Sequence, residues 1–254
     1  MCWDIKYSAA FTVFHLATAA YMYKRNFTFR DRAYVLLCLL YGSMELLEFL
    51  SWIVVEPYSK METNHKCNDL NKYLTIASFV HLSVQPVVWC IWAQRASIQS
   101  RKNMFTIPIV MAIVYAVVNV VRLYFGEVHE LEVQNGGPNS NAGIVTCTYE
   151  GPNSHVAWKF KLSNYERFVF SFPTWFTYMH LSTVFFFVRP LYMSIFTPTV
   201  FFGLCALSGY LVGFSIEHPS YWCLTSVGMS VLMLLEPAIV NTLRLNKLDK
   251  EKSV

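Results

Sequence analysis

Seven apolar stretches constrain this chain more than any other feature. They lie near 5–23, 33–55, 72–94, 104–125, 167–188, 195–215 and 220–243. Each is close to the roughly 20 residues that a helix needs to cross the hydrocarbon of a bilayer. Backbone in lipid must satisfy its own polar groups, so stretches of this kind are expected to be helices. The expected fold class is all-α, a polytopic seven-transmembrane helix bundle. Composition agrees: 14% of the residues are charged, against about 25% in an ordinary soluble domain. Pro198, Gly203, Gly209 and Gly213 are expected to interrupt the sixth stretch.

Lys and Arg set the orientation. Lys24, Arg25, Arg30 and Arg32 follow the first stretch, and Arg95, Arg101 and Lys102 follow the third. Arg189 follows the fifth, and Arg244, Lys247, Lys250 and Lys252 follow the last. With seven spans these segments share one side, which should be cytoplasmic, with the N-terminus extracellular or lumenal. Residues 244–254 are then a cytoplasmic tail. No cleavable leader is expected, because the positive charge follows the first stretch. The sequon Asn26-Phe27-Thr28 falls on the cytoplasmic side and should carry no glycan. The net charge of +4 sits beside apolar runs. That pattern marks membrane orientation and offers no face for nucleic acid.

The outer loop, 126–166, repeats GPNS at 137–140 and 151–154. The second copy separates IVTCTYE from HVAWKFKL, both alternating, which predicts a small β-hairpin lying on the outer face. Cys38, Cys90 and Cys205 fall inside spans as packing residues. Cys2, Cys67, Cys147 and Cys223 fall on the outer side and allow up to two disulfides in three pairings. Cys67 with Cys147 is the preferred pair, because it would staple the hairpin to the second loop, leaving Cys2 with Cys223. Free thiols, or a metal site with His65, His155 or His218, are the alternatives.

These residues also fall into an ordered set of short motifs. The chain opens MCW, carries LLYGSMELLEF in its second stretch, runs CNDLNKYLT into SFVHLSVQP, and has HVAW in the hairpin. In this order they resemble an uncharacterised, mainly bacterial family of seven-helix integral membrane proteins that open with MCW. The resemblance covers the first half and the hairpin, with little to match beyond about residue 165. It marks Cys2, Trp3, Glu45, His81, Gln85, Pro86, His155 and Trp158 as family positions. Glu48 stands where the family pattern has Gln. The resemblance implies fold and topology and no activity.

Ionisable residues inside spans are expensive and usually face the bundle interior. Glu45 and Glu48 share one helix face, and His81 and Gln85 share one on the next span. Glu45 and His81 come out at matched depth, roughly 15 Å from the outer boundary at 1.5 Å per residue. A Glu45–His81 pair is therefore expected. His15 and His180 reach a similar depth, and Glu236 lies nearer the cytoplasm.

Three function classes stay open. The leading one is transport of a small solute, ion or proton through a mid-membrane site of Glu45, Glu48, His81, Gln85, His180 and Glu236. Pro86, Pro173, Pro198 and Pro237 would supply helix breaks there. The second is a zinc-dependent lipid hydrolase with His15, His81, His180 and Glu45 as ligands. The third is a seven-helix sensor, though not a usual retinal protein, because the last stretch has no Lys. A purely structural Glu–His fastening competes with all three, and whether the chain is an enzyme stays open. The leading reading needs no cofactor. Its partners are membrane lipid and an unidentified solute or ion, with a homo-oligomer as an open alternative.

Overall fold

A computed structural model of the chain describes residues 4–25, 30–57, 59–60, 66–125, 142–143, 145–151, 154–161, 183–188, 191–212 and 218–242. The chain is mostly helical: α1 is Ile5–Arg25, α2 Asp31–Val54, α3 Asp69–Ala96, α4 Thr106–Phe125, α5 Leu191–Val212 and α6 His218–Thr242. Among the described residues three segments are long and apolar enough to cross a membrane: Asp31–Val54, Asp69–Ala96 and Gln99–Tyr124. The last of these begins as a 3-10 helix, Gln99–Phe105, that runs directly into α4.

Local chemistry explains several boundaries. Lys24 and Arg25 occupy the last turn of α1, where cations complement the exposed carbonyls. Asn68 caps α3, its side chain accepting from the Asn71 amide at 2.8 Å. Two expectations change. As far as Val212 the sixth stretch is one continuous helix through Pro198, with Gly213 outside the described residues, and α3 and α6 likewise continue through Pro86 and Pro237. Proline removes one ladder bond, and the turns on either side still close. The expected breaks at these three residues do not form, while Pro173 lies outside the described residues. The fifth stretch is described only at its end, where Thr183–Phe187 is a 3-10 helix.

The helices are organised inside out. On α1 the buried positions include Ser8, Thr12, His15 and Thr18, while Val13 and Leu16 are exposed. On α3, Asn71, Thr75, Ser78, Ser83 and Gln85 are buried. On α4, Val110, Val114, Val117, Val118 and Val121 are exposed while Asn119 is buried. A soluble helix would show the reverse pattern. α1 and α2 pack closely at Gly42, where a Cβ would stand 3.2 Å from the Cβ of His15.

The hairpin forms, and it packs closely against α2 and α3. Its strands are β2 (Cys147–Glu150) and β3 (Val156–Lys161), paired antiparallel with Glu150 opposite Val156. Gly151 and Ser154 bracket the turn, the Ser154 amide donating to the Gly151 carbonyl at 3.0 Å with Ser154 in the left-handed region at φ 58°. A short strand that the sequence did not announce, β1 (Ala142–Gly143), adds in parallel to β3. Both faces of the hairpin are buried. Val156, Trp158 and Phe160 pack against Met44 of α2 and Phe79 of α3. The Phe79 and Phe160 rings are 4.8 Å apart. Cys147, Tyr149 and Ala157 pack on the other side, against Cys67. Met44 stands ten residues before the end of α2 and Phe79 ten after the start of α3. The hairpin therefore reaches roughly 15 Å along these helices.

Asn71 seats it there. Its carboxamide donates to the carbonyls of Val54 and Thr148, each at 2.8 Å, and accepts from the Thr148 amide at 2.7 Å. Thr75 and Thr148 hydroxyls bond at 2.7 Å. Glu56 donates its amide to the Thr148 carbonyl at 3.2 Å and accepts from the Glu150 amide at 2.7 Å. The free edge of β2 is thus closed by one side chain and one loop residue, as a buried edge requires. Cys67 and Cys147 are disulfide-bonded, with Cα atoms 5.8 Å apart and a sequence separation of 80. Cys38 and Cys90 are free and buried, while Cys2 lies outside the described residues.

Asn71→Ala should lower the stability of the purified protein by about 2–4 kcal/mol, because it strips partners from buried backbone groups on two elements. Asn71→Asp keeps the acceptor for the Thr148 amide but turns a carboxylate oxygen onto the Val54 and Thr148 carbonyls, and should cost at least as much. Thermal melting in detergent checks both, and an unchanged midpoint for the alanine variant would contradict the seating.

Candidate functional site

Glu45 and Glu48 sit one turn apart in the C-terminal half of α2. They are 1% and 0% exposed. Met44, beside Glu45, is covered by Trp158 and Phe160 of the hairpin. Two carboxylates thus occupy one buried face, next to the deepest part of the inserted strand.

His81 has other partners than the expected Glu45. Its Nε2 lies 2.8 Å from the Ser43 hydroxyl, and its Nδ1 lies 3.2 Å from Nε2 of Gln85. Ser43 donates its own proton to the Leu40 carbonyl at 2.8 Å. The bonding pattern therefore assigns His81 as the neutral Nε2–H form, donating to Ser43 and accepting from Gln85. Ser43 lies roughly 160° around α2 from Glu45, given 3.6 residues per turn. The His81–Gln85 pair thus fastens α3 to a different face of α2. Depth was readable from residue counting; the angular position of Ser43 was the signal overlooked.

His15 is fully buried between α1 and α6, with Nδ1 3.0 Å from the Ser230 hydroxyl and Nε2 3.0 Å from that of Ser226. Ser230 also contacts Cys38 of α2 at 3.8 Å. Both ring nitrogens of His15 and both of His81 are thus directed at separate helix contacts. Among the described residues no three His, Cys, Asp or Glu side chains are grouped to hold a metal. His180, the remaining expected ligand, lies outside the described residues. The other metal alternative also fails for Cys67 and Cys147, whose sulfurs are joined to each other; His65 lies outside the described residues.

Glu236 is not near the carboxylate pair's face of the hairpin but in a buried charge cluster at the other end of the bundle. The Arg30 guanidinium donates to its Oε1 at 2.7 Å from Nε, with Nη2 at 2.6 Å. Arg25 forks onto both oxygens of Asp31. Arg25 also donates to the Leu234 carbonyl at 3.3 Å and the Met233 carbonyl at 3.5 Å. Met233 is four residues before Pro237, so its carbonyl is the one the proline leaves without a helical donor. Arg25 and Arg30, which the sequence offered only as orientation charges, thus tie α1, α2 and α6 together. The nearby proline was the available signal.

The hairpin carries perturbed groups of its own. Burial holds the Lys159 ammonium below its usual range. Burial, with the Glu56 charge beside it, pushes the Tyr149 phenol up to about 12. Burial lowers His155 from 6.5 to about 4, with nearby positive charge acting in the same direction.

A family profile matches residues 6–244. The chain belongs to that family, the Family of unknown function (DUF5765). The match extends well past residue 165, where the motif resemblance ended. The chain is also similar to an uncharacterized protein of Acanthamoeba polyphaga mimivirus. The two are 26% identical over 249 residues, covering 92% of this chain and 94% of the relative. No solved structure matches.

Two predictions follow from this geometry. Glu236→Gln should destabilise by about 3–5 kcal/mol, because it leaves Arg30 buried against a neutral amide. The double variant Arg30→Met, Glu236→Leu should regain much of that loss in a melting experiment, and strict additivity would contradict the pairing. His155 has a lowered folded pKa, so the unfolded chain binds more protons between about 4 and 6.5. Its contribution is complete above the unfolded value and is lost as pH falls through that window. The slope of stability against pH there should flatten in His155→Gln, and an unchanged slope would rule the histidine out.

Proposed function

We propose that this is an integral membrane protein of seven spans, with an extracellular or lumenal N-terminus and a cytoplasmic C-terminus. Its work is to bind and pass a proton or small cation at Glu45 and Glu48. The inside-out packing of α1, α3 and α4 supports the membrane setting, since lipid accepts exposed valines and rejects exposed serines. Tyrosine placement supports the slab. Among the described residues the exposed tyrosines are Tyr7, Tyr21, Tyr23, Tyr73, Tyr124 and Tyr210. All fall near helix ends, where an amphipathic ring meets headgroups. In the proposed orientation Tyr7, Tyr73, Tyr124 and Tyr210 form the outer girdle, and Tyr21 with Tyr23 the inner one.

The observation that carries the transport reading is the burial of both carboxylates on one face in the middle of the bundle. Carboxylates in a dry interior take up a proton or a small cation, and such residues mark ion and proton paths. His81 and Gln85 support the site by fixing α3 against α2. Glu236 belongs to the inner charge cluster and is removed from the path. Neither the zinc hydrolase nor the sensor reading draws support from the described residues.

Purified protein in liposomes under a pH or cation gradient tests this reading. Wild type should show flux, Glu45→Gln should fall to the level of empty liposomes, and Glu48→Gln should retain part. If both variants keep full flux and lose only thermal stability, the carboxylates are structural and the reading fails.

A further inference from the structure

We propose that the Cys67–Cys147 bridge is a thiol–disulfide exchange site, opened by a dithiol that attacks the Cys67 sulfur and expels Cys147 as its thiolate. This is independent of the reading of Glu45 and Glu48, since the chemistry lies wholly at the bridge.

The two sulfurs are unequally placed. Cys67 is half-buried between exposed Lys66 and Asn68, just ahead of α3. Cys147 is 2% exposed. An incoming thiol therefore meets the Cys67 sulfur first, and it needs no passage into the bundle. Exchange proceeds by attack on one sulfur while the other departs, so access selects Cys67 as the centre attacked.

The surroundings of the two sulfurs differ in the matching sense. The Cys67 amide donates to the Cys147 sulfur at 3.1 Å. That amide stands at the approach to the N-terminus of α3, where negative charge is favoured. The Cys67 sulfur instead faces the Thr146 carbonyl at 3.5 Å, an acceptor that suits a thiol and opposes a thiolate. Across the ladder Cys147 stands opposite Lys159, which is buried on the same face of the hairpin. Side chains directly opposite each other lie about 4.5–5.5 Å apart at Cβ. Burial weakens the hold of Lys159 on its proton, and a thiolate beside it offsets that cost. A leaving thiol of lowered pKa departs faster. Donor, acceptor and cation thus agree on one division of roles.

The first thiolate of the dithiol bonds to the Cys67 sulfur as the Cys67–Cys147 bond breaks, and the electron pair leaves on Cys147. The second thiolate attacks the reagent's own sulfur in the mixed disulfide and releases Cys67. The dithiol loses two electrons and two protons and becomes a disulfide. Both electrons end on Cys67 and Cys147; Cys67 takes one proton, and the other goes to water while Cys147 stays a thiolate.

Trapping tests the order of attack. Full-length protein in lipid nanodiscs is treated with glutathione, quenched in acid, and the mixed disulfide is located by peptide mass. It should form on Cys67. Reduction by dithiothreitol should be at least as fast in the folded protein as in the chain unfolded by urea. It should be severalfold slower in Lys159→Met than in wild type, with Lys159→Arg close to wild type. A mixed disulfide on Cys147 overturns the proposal. A bridge reduced only on unfolding is a structural staple and also overturns it, as does an unchanged rate in a folded Lys159→Met. The wild-type trap decides the order of attack whether or not the variants fold.

Discussion

A β-strand cannot rest buried inside a helical bundle unless its backbone polar groups are satisfied, and Asn71 meets that demand here. Its carboxamide offers a donor and an acceptor in the arrangement that a neighbouring strand would present. It bonds the amide and carbonyl of Thr148 together and the last carbonyl of α2 with them. Water could do the same work only in a wet cavity. A side chain on a rigid helix does it without admitting solvent, so the apolar face of β3 can fill the bundle. The Cys67–Cys147 bridge stands at the same corner and keeps the chain ends together.

The rest of the bundle pairs buried polar groups with each other inside a core that also holds Leu37, Trp89, Trp92 and Met229, and turns many of its valines outward. His15 meets two serines of α6, His81 meets Ser43 and Gln85, and Arg25 and Arg30 meet Asp31, Glu236 and the carbonyl freed by Pro237. Apart from the His81–Gln85 bond, which lies within α3, these contacts join different segments, so specificity of packing comes from hydrogen bonds as much as from shape. Glu45 and Glu48 differ in that they lie together on one helix face beneath the hairpin.

Much of this was legible in the sequence. The limits of α1, α2 and α3 were set within a few residues by the apolar runs, because a bilayer dictates length. The hairpin was readable from alternation and turn chemistry, and the Cys67–Cys147 pairing from topology. What could not be read was angle and insertion. Residue counting matched Glu45 with His81 in depth, yet the rotation of α2 directs Ser43 to that histidine. Alternation in HVAWKFKL suggested one wet face, whereas both faces are packed, because Asn71 closes an edge that the pattern left open. Arg30 and Glu236 are 206 residues apart in sequence, and nothing local to either announces the other.

The central claim is that β3 rests inside the helical bundle, packed against Met44 of α2 and Phe79 of α3. Amide hydrogen exchange of residues 156–161 in lipid nanodiscs measures it directly. The account predicts exchange as slow as that of amides in the middle of α2. Exchange as fast as an exposed loop, with α2 still protected, would contradict it and return the hairpin to the outer surface.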